Sequence, residues 1–233
     1  MTHTNTLRTR LTVLPLASAG ICFGLYPAIR PFTDESTLQG AEAFASPAWF
    51  LAHSSAMVGF ILLTLGLLGV YSQLRETTAG RLGMTALVVT WIGVGLTLPY
   101  YGAETFALRA VGQEALRLNN VDLLVTITNS FRLGAGVWFF GPGLLAIAVG
   151  AILFAIAIWR SGVLAKWSAI PLAAGLALFL PQFYTSPSVR IGHGLLVLVG
   201  CWVLAWSMSD RRKSIDSVRL ASQQLRSPSS STR

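Results

Sequence analysis

Charge is what this chain has least of. Only 11% of its 233 residues are Asp, Glu, Lys or Arg, and 53% are hydrophobic, whereas an ordinary soluble domain carries about 25% charged residues. That balance removes the soluble globular classes that the length alone would allow. Cysteine is nearly absent, and Cys22 and Cys201 both fall inside apolar runs. They read as small packing groups, with no disulfide or Cys-X-X-Cys chemistry expected. Missing too are Gly-X-Ser-X-Gly, His-Glu-X-X-His, a phosphate-cradling glycine loop, a dinucleotide fingerprint and paired intramembrane aspartates. The chain therefore leans away from an enzyme. Histidine is scarce as well, with three in all.

What is present is a series of long apolar runs, at about 11–29, 47–71, 84–103, 135–158, 167–185 and 190–208. A bilayer core of about 30 Å takes about 20 helical residues. Lipid offers backbone amides no partner, so runs of this kind must be helices. The expected fold is an all-α integral membrane protein with six transmembrane helices over residues 1–208. A basic, Ser-rich tail over 209–233 is expected to be disordered. No small-residue cleavage site follows the first run, so its removal as a secretory signal is not expected.

The net charge of +8 raises the question of nucleic acid, but its distribution points to a membrane. The N-terminus, the 72–83 and 159–166 loops and the tail hold twelve of the seventeen Lys and Arg. The alternate loops hold Arg30, Arg109, Arg117, Arg132 and Arg190 together with six of the nine acidic residues. By the positive-inside rule both termini face the cytoplasm, in a multi-pass protein of the cytoplasmic membrane. The tail then faces anionic headgroups, and no nucleic-acid partner is expected. Tyr26, Trp49, Tyr100, Tyr101 and Tyr184 read as an outer aromatic belt, and Tyr71, Trp159, Trp167 and Trp206 as an inner one.

Two stretches, SPAWFLAHS (46–54) and SPSVRIGHG (186–194), place a histidine six residues after a proline at the start of an apolar run. Ser46 and Ser186 read as N-caps, with Pro47 and Pro187 at the first helical position. FRLGAG (131–136) aligns with both, putting Arg132 opposite Arg190. The other runs each end in a proline with aromatics, at Pro27, Pro99 and Pro181. Two readings stand: three parallel helical-hairpin repeats, or chance matches among common membrane residues. Gly20 and Gly24 form one GxxxG, a mark of close helix contact or of homo-oligomerisation. Gly-Pro-Gly at 141–143 predicts a kink or unwound turn. The segment from Glu104 to Phe131 has helical spacing and predicts an interfacial helix, a lid or a passive connector.

Six residues at 1.5 Å each place His53 and His193 about 9 Å down from the outer surface. Tyr100, Tyr101, Gln182, Tyr184 and Glu104 fall at that level, with Arg132 and Arg190 nearby. Polar groups in spans usually face a bundle interior or a wet cavity. The layer is therefore expected to bind a small molecule or lipid headgroup, for binding or transport. The arginines would pair anionic groups and the histidines and Glu104 would exchange protons. The alternative is a redox protein in which His53 and His193 ligate haem b. A further alternative is an accessory subunit that only binds a membrane partner. Two histidines and Glu104 fall short of the usual zinc set, so no metal is expected.

Overall fold

A computed structural model describes the backbone of residues 2–226 and the side chains of residues 13–211. It is helical, with no strand among the described residues. The elements are α1 (Thr2–Ile29), α2 (Leu38–Ala45), α3 (Pro47–Leu74), α4 (Gly80–Gly102), a π turn (Ala103–Ala107) and α5 (Leu108–Leu118). There follow α6 (Val121–Arg132), α7 (Ala135–Ser161), α8 (Ile170–Ala177), a 3-10 turn (Pro181–Tyr184) and α9 (Pro187–Arg226). Four stretches are long and apolar enough to cross a membrane: Pro47–Leu74, Gly80–Leu118, Ala135–Ser161 and Pro187–Arg211. The described apolar part of α1, Val13–Ile29, is shorter.

The run expected as one span over 167–185 is broken. Helix α8 is eight residues long and gives way to turns before the 3-10 segment. Pro181 has no N–H to give the Ala177 carbonyl four residues back, and its ring crowds that carbonyl, which accounts for the helix ending at Ala177. The opposite happens at the C-terminus. Between Gly200 and Pro228 there is neither Gly nor Pro, and α9 continues to Arg226 through most of the tail expected to be disordered. Residues 227–233, and the side chains beyond Arg211, lie outside the described residues.

The long elements close a ring, each packed on its neighbours: α1 on α3, α3 on α4, α4 on α7, α7 on α8, α8 on α9, and α9 back on α1. Small residues let the backbones approach, which is how helices associate where lipid removes the usual hydrophobic drive. A Cβ on Gly20 would lie 2.9 Å from that of Cys201, and one on Gly24 would meet Leu198. The GxxxG face is thus used inside the chain, between α1 and α9. On the α4–α7 seam, Gly93 faces the Gly143 carbonyl, and Gly143 and Gly150 face Thr97 and Thr90. Both threonine hydroxyls turn back onto carbonyls four residues earlier, at 2.8 Å, leaving no bare polar group in the seam.

The ring's centre is aromatic. Phe23, Phe60 and Phe179 pack edge-on or tilted against one another, with centroids 4.9 to 5.8 Å apart, and Tyr101 and Phe140 continue the cluster. Most of the expected outer belt is turned inward: Tyr26, Trp49 and Tyr101 are buried and Tyr100 is half-buried, whereas Tyr184 is 87% exposed. Over one end of the ring, a second apolar cluster of Ala41, Phe44, Trp49, Leu108, Ala115 and Leu124 joins α2, α5 and α6 into a cap. The segment expected as one interfacial helix is therefore two, covered by α2. They are divided at Asn119, whose φ of 49° is left-handed, and Asn120 caps α6 by accepting from Leu123 N at 3.0 Å. Gly141-Pro142-Gly143 stays helical within α7, without the unwound turn expected there.

The aligned helix starts do not share one register. Ser46 caps α3 by accepting from Trp49 N at 3.1 Å, so His53 lies nearly two turns into its helix. Ala135, its counterpart in the middle copy, is the first residue of α7, and Arg132 ends α6.

The seam sets a stability prediction. A Cβ on Gly93 would lie 2.7 Å from the backbone of Gly143 and Ile147, whereas one on Gly95 would meet nothing within 4 Å. Gly93→Val should cost about 1–3 kcal/mol, the usual range for overpacking. Gly95→Val should leave thermal unfolding in detergent nearly unchanged.

Candidate functional site

A cavity of about 380 Å³ opens beneath the cap. Its floor and cap side carry Arg30, Glu35, His53, Glu104, Arg132 and Arg190, and its other wall is Leu133, Val137, Phe140, Leu180 and Phe183. Tyr100, Tyr101 and Tyr184 also face it. Seven of the nine residues singled out from sequence are thus brought together. His193 and Gln182 are not. They line a neighbouring crevice of about 10 Å³ behind Tyr26 and Phe179, which Arg190 shares.

Arg132, the last residue of α6, holds the cap down. Its Nε and Nη2 donate to the two oxygens of Glu104 at 2.7 and 2.8 Å, and its Nη1 donates to Glu35 Oε2. Arg30, just past α1, donates from Nη2 to Glu35 Oε1 at 2.6 Å. Its guanidinium stacks over Trp49, 4.6 Å from the ring centroid. Burial works against the Glu35 carboxylate, but Arg132 and Arg30 outweigh it and hold the group below the usual glutamate range. Burial likewise disfavours the Arg132 charge, and Glu104 and Glu35 more than restore it.

Glu104 lies on the π turn. Leu108 N–H reaches back five residues to the Ala103 carbonyl, and the Glu104 carbonyl accepts the Trp49 indole N–H at 2.7 Å. Wide turns of this kind recur at functional sites. His53 Nδ1 lies 2.9 Å from the Trp49 carbonyl. A carbonyl only accepts, so Nδ1 carries the proton, and in the neutral ring Nε2 keeps its lone pair. That nitrogen faces Glu104 Oε2 at 3.9 Å, beyond hydrogen-bond reach.

Two donors in this layer are unmet. Arg30 Nε and the Tyr101 hydroxyl are buried without a hydrogen-bond partner, with the Arg30 side chain only 8% exposed. Arg190 donates from Nε to Gln182 Oε1 at 3.1 Å and lies over Phe32 and Phe183. It has no carboxylate within 4 Å among the described residues.

The arrangement does not suit a bis-histidine haem. His193 Nε2 donates to the Gly175 carbonyl at 2.8 Å and its ring stands edge-on to Phe179. His53 packs instead among Trp49, Tyr26 and Tyr101. The imidazoles face different spaces, and the ring nitrogen His193 directs at its neighbour is already engaged. Among the described residues no group of three or more His, Cys, Asp or Glu is placed to hold a metal. A separate space of about 410 Å³ between α7 and α8 is walled by Ile152, Ile156 and Ala173, with Arg160 its one charged residue.

Sequence reasoning missed Tyr26, Arg30 and Glu35 as part of this layer. Charge pairing was the available signal: with few charges in the chain, the carboxylates at the outer helix ends needed cations, and Arg30 is the nearest in sequence to Glu35. No family model, curated protein or solved structure matches the chain.

The ion network carries a pH signature. Because the Glu35 pKa is depressed, its stabilisation is complete above the ordinary value of 4.5 and is lost as pH falls through the folded value. Thermal unfolding of the wild type should shift down on acidification below about pH 5, and Glu35→Gln should be lower at neutral pH with a smaller acid response. Glu104→Gln, which leaves Arg132 short of one carboxylate, should cost about 2 kcal/mol after allowing for the partial exposure of Arg132.

Proposed function

We propose that the outer-half cavity binds one small molecule or lipid headgroup through a negatively charged group. The chain is read as a six-segment protein of the cytoplasmic membrane with both termini inside. The observation that carries the reading is the surplus of cations lining the cavity. Arg30, Arg132 and Arg190 face Glu35 and Glu104, leaving one positive charge over, and Arg190 has no carboxylate within 4 Å among the described residues, unlike Arg30 and Arg132. An oxyanion brought beside Arg190 would complete the pairing.

In this reading Arg190 pairs the anion, and Glu35 and Arg132 keep the cap closed. The role is binding or transport.

The test is thermal unfolding and titration of the protein in neutral phosphatidylcholine nanodiscs, with oleate and oleoyl lysophosphatidate as anionic probes and oleyl alcohol as the neutral one. At least one anion should bind and stabilise, and Arg190→Gln should weaken it about tenfold or more, or 1.4 kcal/mol. Anions that act no better than oleyl alcohol, or that bind Arg190→Gln equally well, would overturn the reading. A reporter fused after Arg233 should be active only as a cytoplasmic fusion; periplasmic activity would reverse the orientation.

A further inference from the structure

Resting on that anion-binding reading, we infer that the ligand is a membrane amphiphile. Its charged head sits against Arg190, Arg30 and Tyr101, and its apolar chain leaves sideways between α7 and the 181–184 turn. Three features of the cavity support this.

The first is its two-faced lining. Charged and hydrogen-bonding groups come from the end of α1, the 31–37 loop, α3, α4, the π turn, α6 and α9, while the α6–α7 link, α7 and the broken fifth segment contribute Leu133, Val137, Phe140, Leu180 and Phe183. A compact soluble anion would leave that second wall without a partner. An amphiphile satisfies both.

The second is the direction of access. Above the cavity, Arg132 ties α6 to Glu35 and Glu104 through three hydrogen bonds, and the apolar cluster beneath α2 and α5 seals the cap. At the side, α7 meets the 3-10 turn where Phe140 and Phe183 rings lie 5.4 Å apart. Outward of that pair the rim residues are apolar and open: Leu133 is 74% and Val137 42% exposed, and Tyr184 stands opposite. The apolar rim is the more open, since the Arg132 and Glu35 side chains on the polar side are 23% and 24% exposed. A ligand arriving from the lipid meets the lower barrier.

The third is Gly141, which lines the cavity one turn below Val137. A Cβ there would meet nothing within 4 Å, unlike at Gly143 on the packed seam. Glycine in a helix interior costs roughly 0.5–1 kcal/mol relative to alanine, and no helix contact requires it here. It keeps open the space through which the chain of a bound amphiphile would pass.

The same openness supplies a variant expected to fold, Gly141→Leu, which fills the passage without touching a charged residue. Gly192→Leu, at another glycine whose Cβ would meet nothing within 4 Å and which does not line the cavity, is the control. Binding is measured in phosphatidylcholine nanodiscs for two pairs of probes sharing a head: oleate with butyrate, and oleoyl lysophosphatidate with glycerol 3-phosphate. Nanodiscs holding Arg190→Gln correct for partition of the chain into lipid. The expected result is that a long-chain probe binds at least about 100-fold tighter than its chainless partner. Gly141→Leu should remove most of that advantage, and Gly192→Leu should leave it intact. Equal affinity within a pair would overturn the amphiphile and leave the anion reading standing. A long-chain preference untouched by Gly141→Leu would overturn the lateral path. No binding of any anion would remove both.

Discussion

Arg132 bridges two carboxylates that come from distant parts of the chain, and the cap's position follows from that bridge. Glu35 sits in the connection after α1, Glu104 on the π turn after α4, and Arg132 at the end of α6. A guanidinium offers five donors in a fixed plane, and here three are spent on two carboxylates. The Coulomb attraction of such contacts, about 4 kcal/mol per pair at an effective dielectric near 20, is largely offset by the desolvation of all three groups. The network is therefore better understood as fixing geometry than as a store of stability. Without it the cap would rest on a cluster of only six buried apolar side chains, with nothing to set its height above the ring.

The π turn completes this arrangement. It lets the Glu104 carbonyl meet the Trp49 indole while the Glu104 carboxylate meets Arg132. Trp49 in turn carries Arg30 on its face and holds the His53 tautomer through its own carbonyl. One residue at the start of α3 thus touches the cation, the acid and the imidazole of the layer. Ser46 and Pro47, which start that helix, set its place.

The fold was legible where physical chemistry leaves few choices. Long uncharged runs must be helices in lipid, and four of the expected spans are helices of sufficient length and apolarity. Pro181 interrupts the fifth through its missing N–H, which hydropathy, weighing side chains alone, does not register. The layer itself was readable because polar groups among apolar ones have few places to go, and His53, Glu104, Arg132 and Arg190 do converge on one cavity. His193 was misplaced with them because shared depth along a helix says nothing about which way a side chain faces. It turns to the Gly175 carbonyl. Arg30 and Glu35 were missed because they lie in a connection, where spacing carries no register. The aromatic residues at the outer helix ends fitted an interfacial belt by position alone, whereas burial of Tyr26, Trp49 and Tyr101 makes them cavity and core groups.

A polar layer can exist simply to hold helices together, and much of this one has that character. Glu104 and Glu35 are satisfied by arginines, His193 by a carbonyl, and Gln182 by Arg190. A layer serving only that purpose should close its own hydrogen bonds, since a buried donor gains nothing from remaining bare. Two other buried hydroxyls, of Thr128 and Ser168, are also unpaired. Each is a single rotor with no charge, and neither lines the cavity. The cavity pair differs in kind. One member is a guanidinium nitrogen whose other arm is fixed on Glu35 and whose face is fixed on Trp49, so it cannot rotate to seek a partner. The other is a phenol at the end of a ring locked among Tyr26, Phe60 and Phe140. Both residues line the same cavity as Arg190, which has no carboxylate within 4 Å among the described residues. Three arginines there face two glutamates, so the layer holds one positive charge more than its own carboxylates balance, and helix packing gains nothing from that excess.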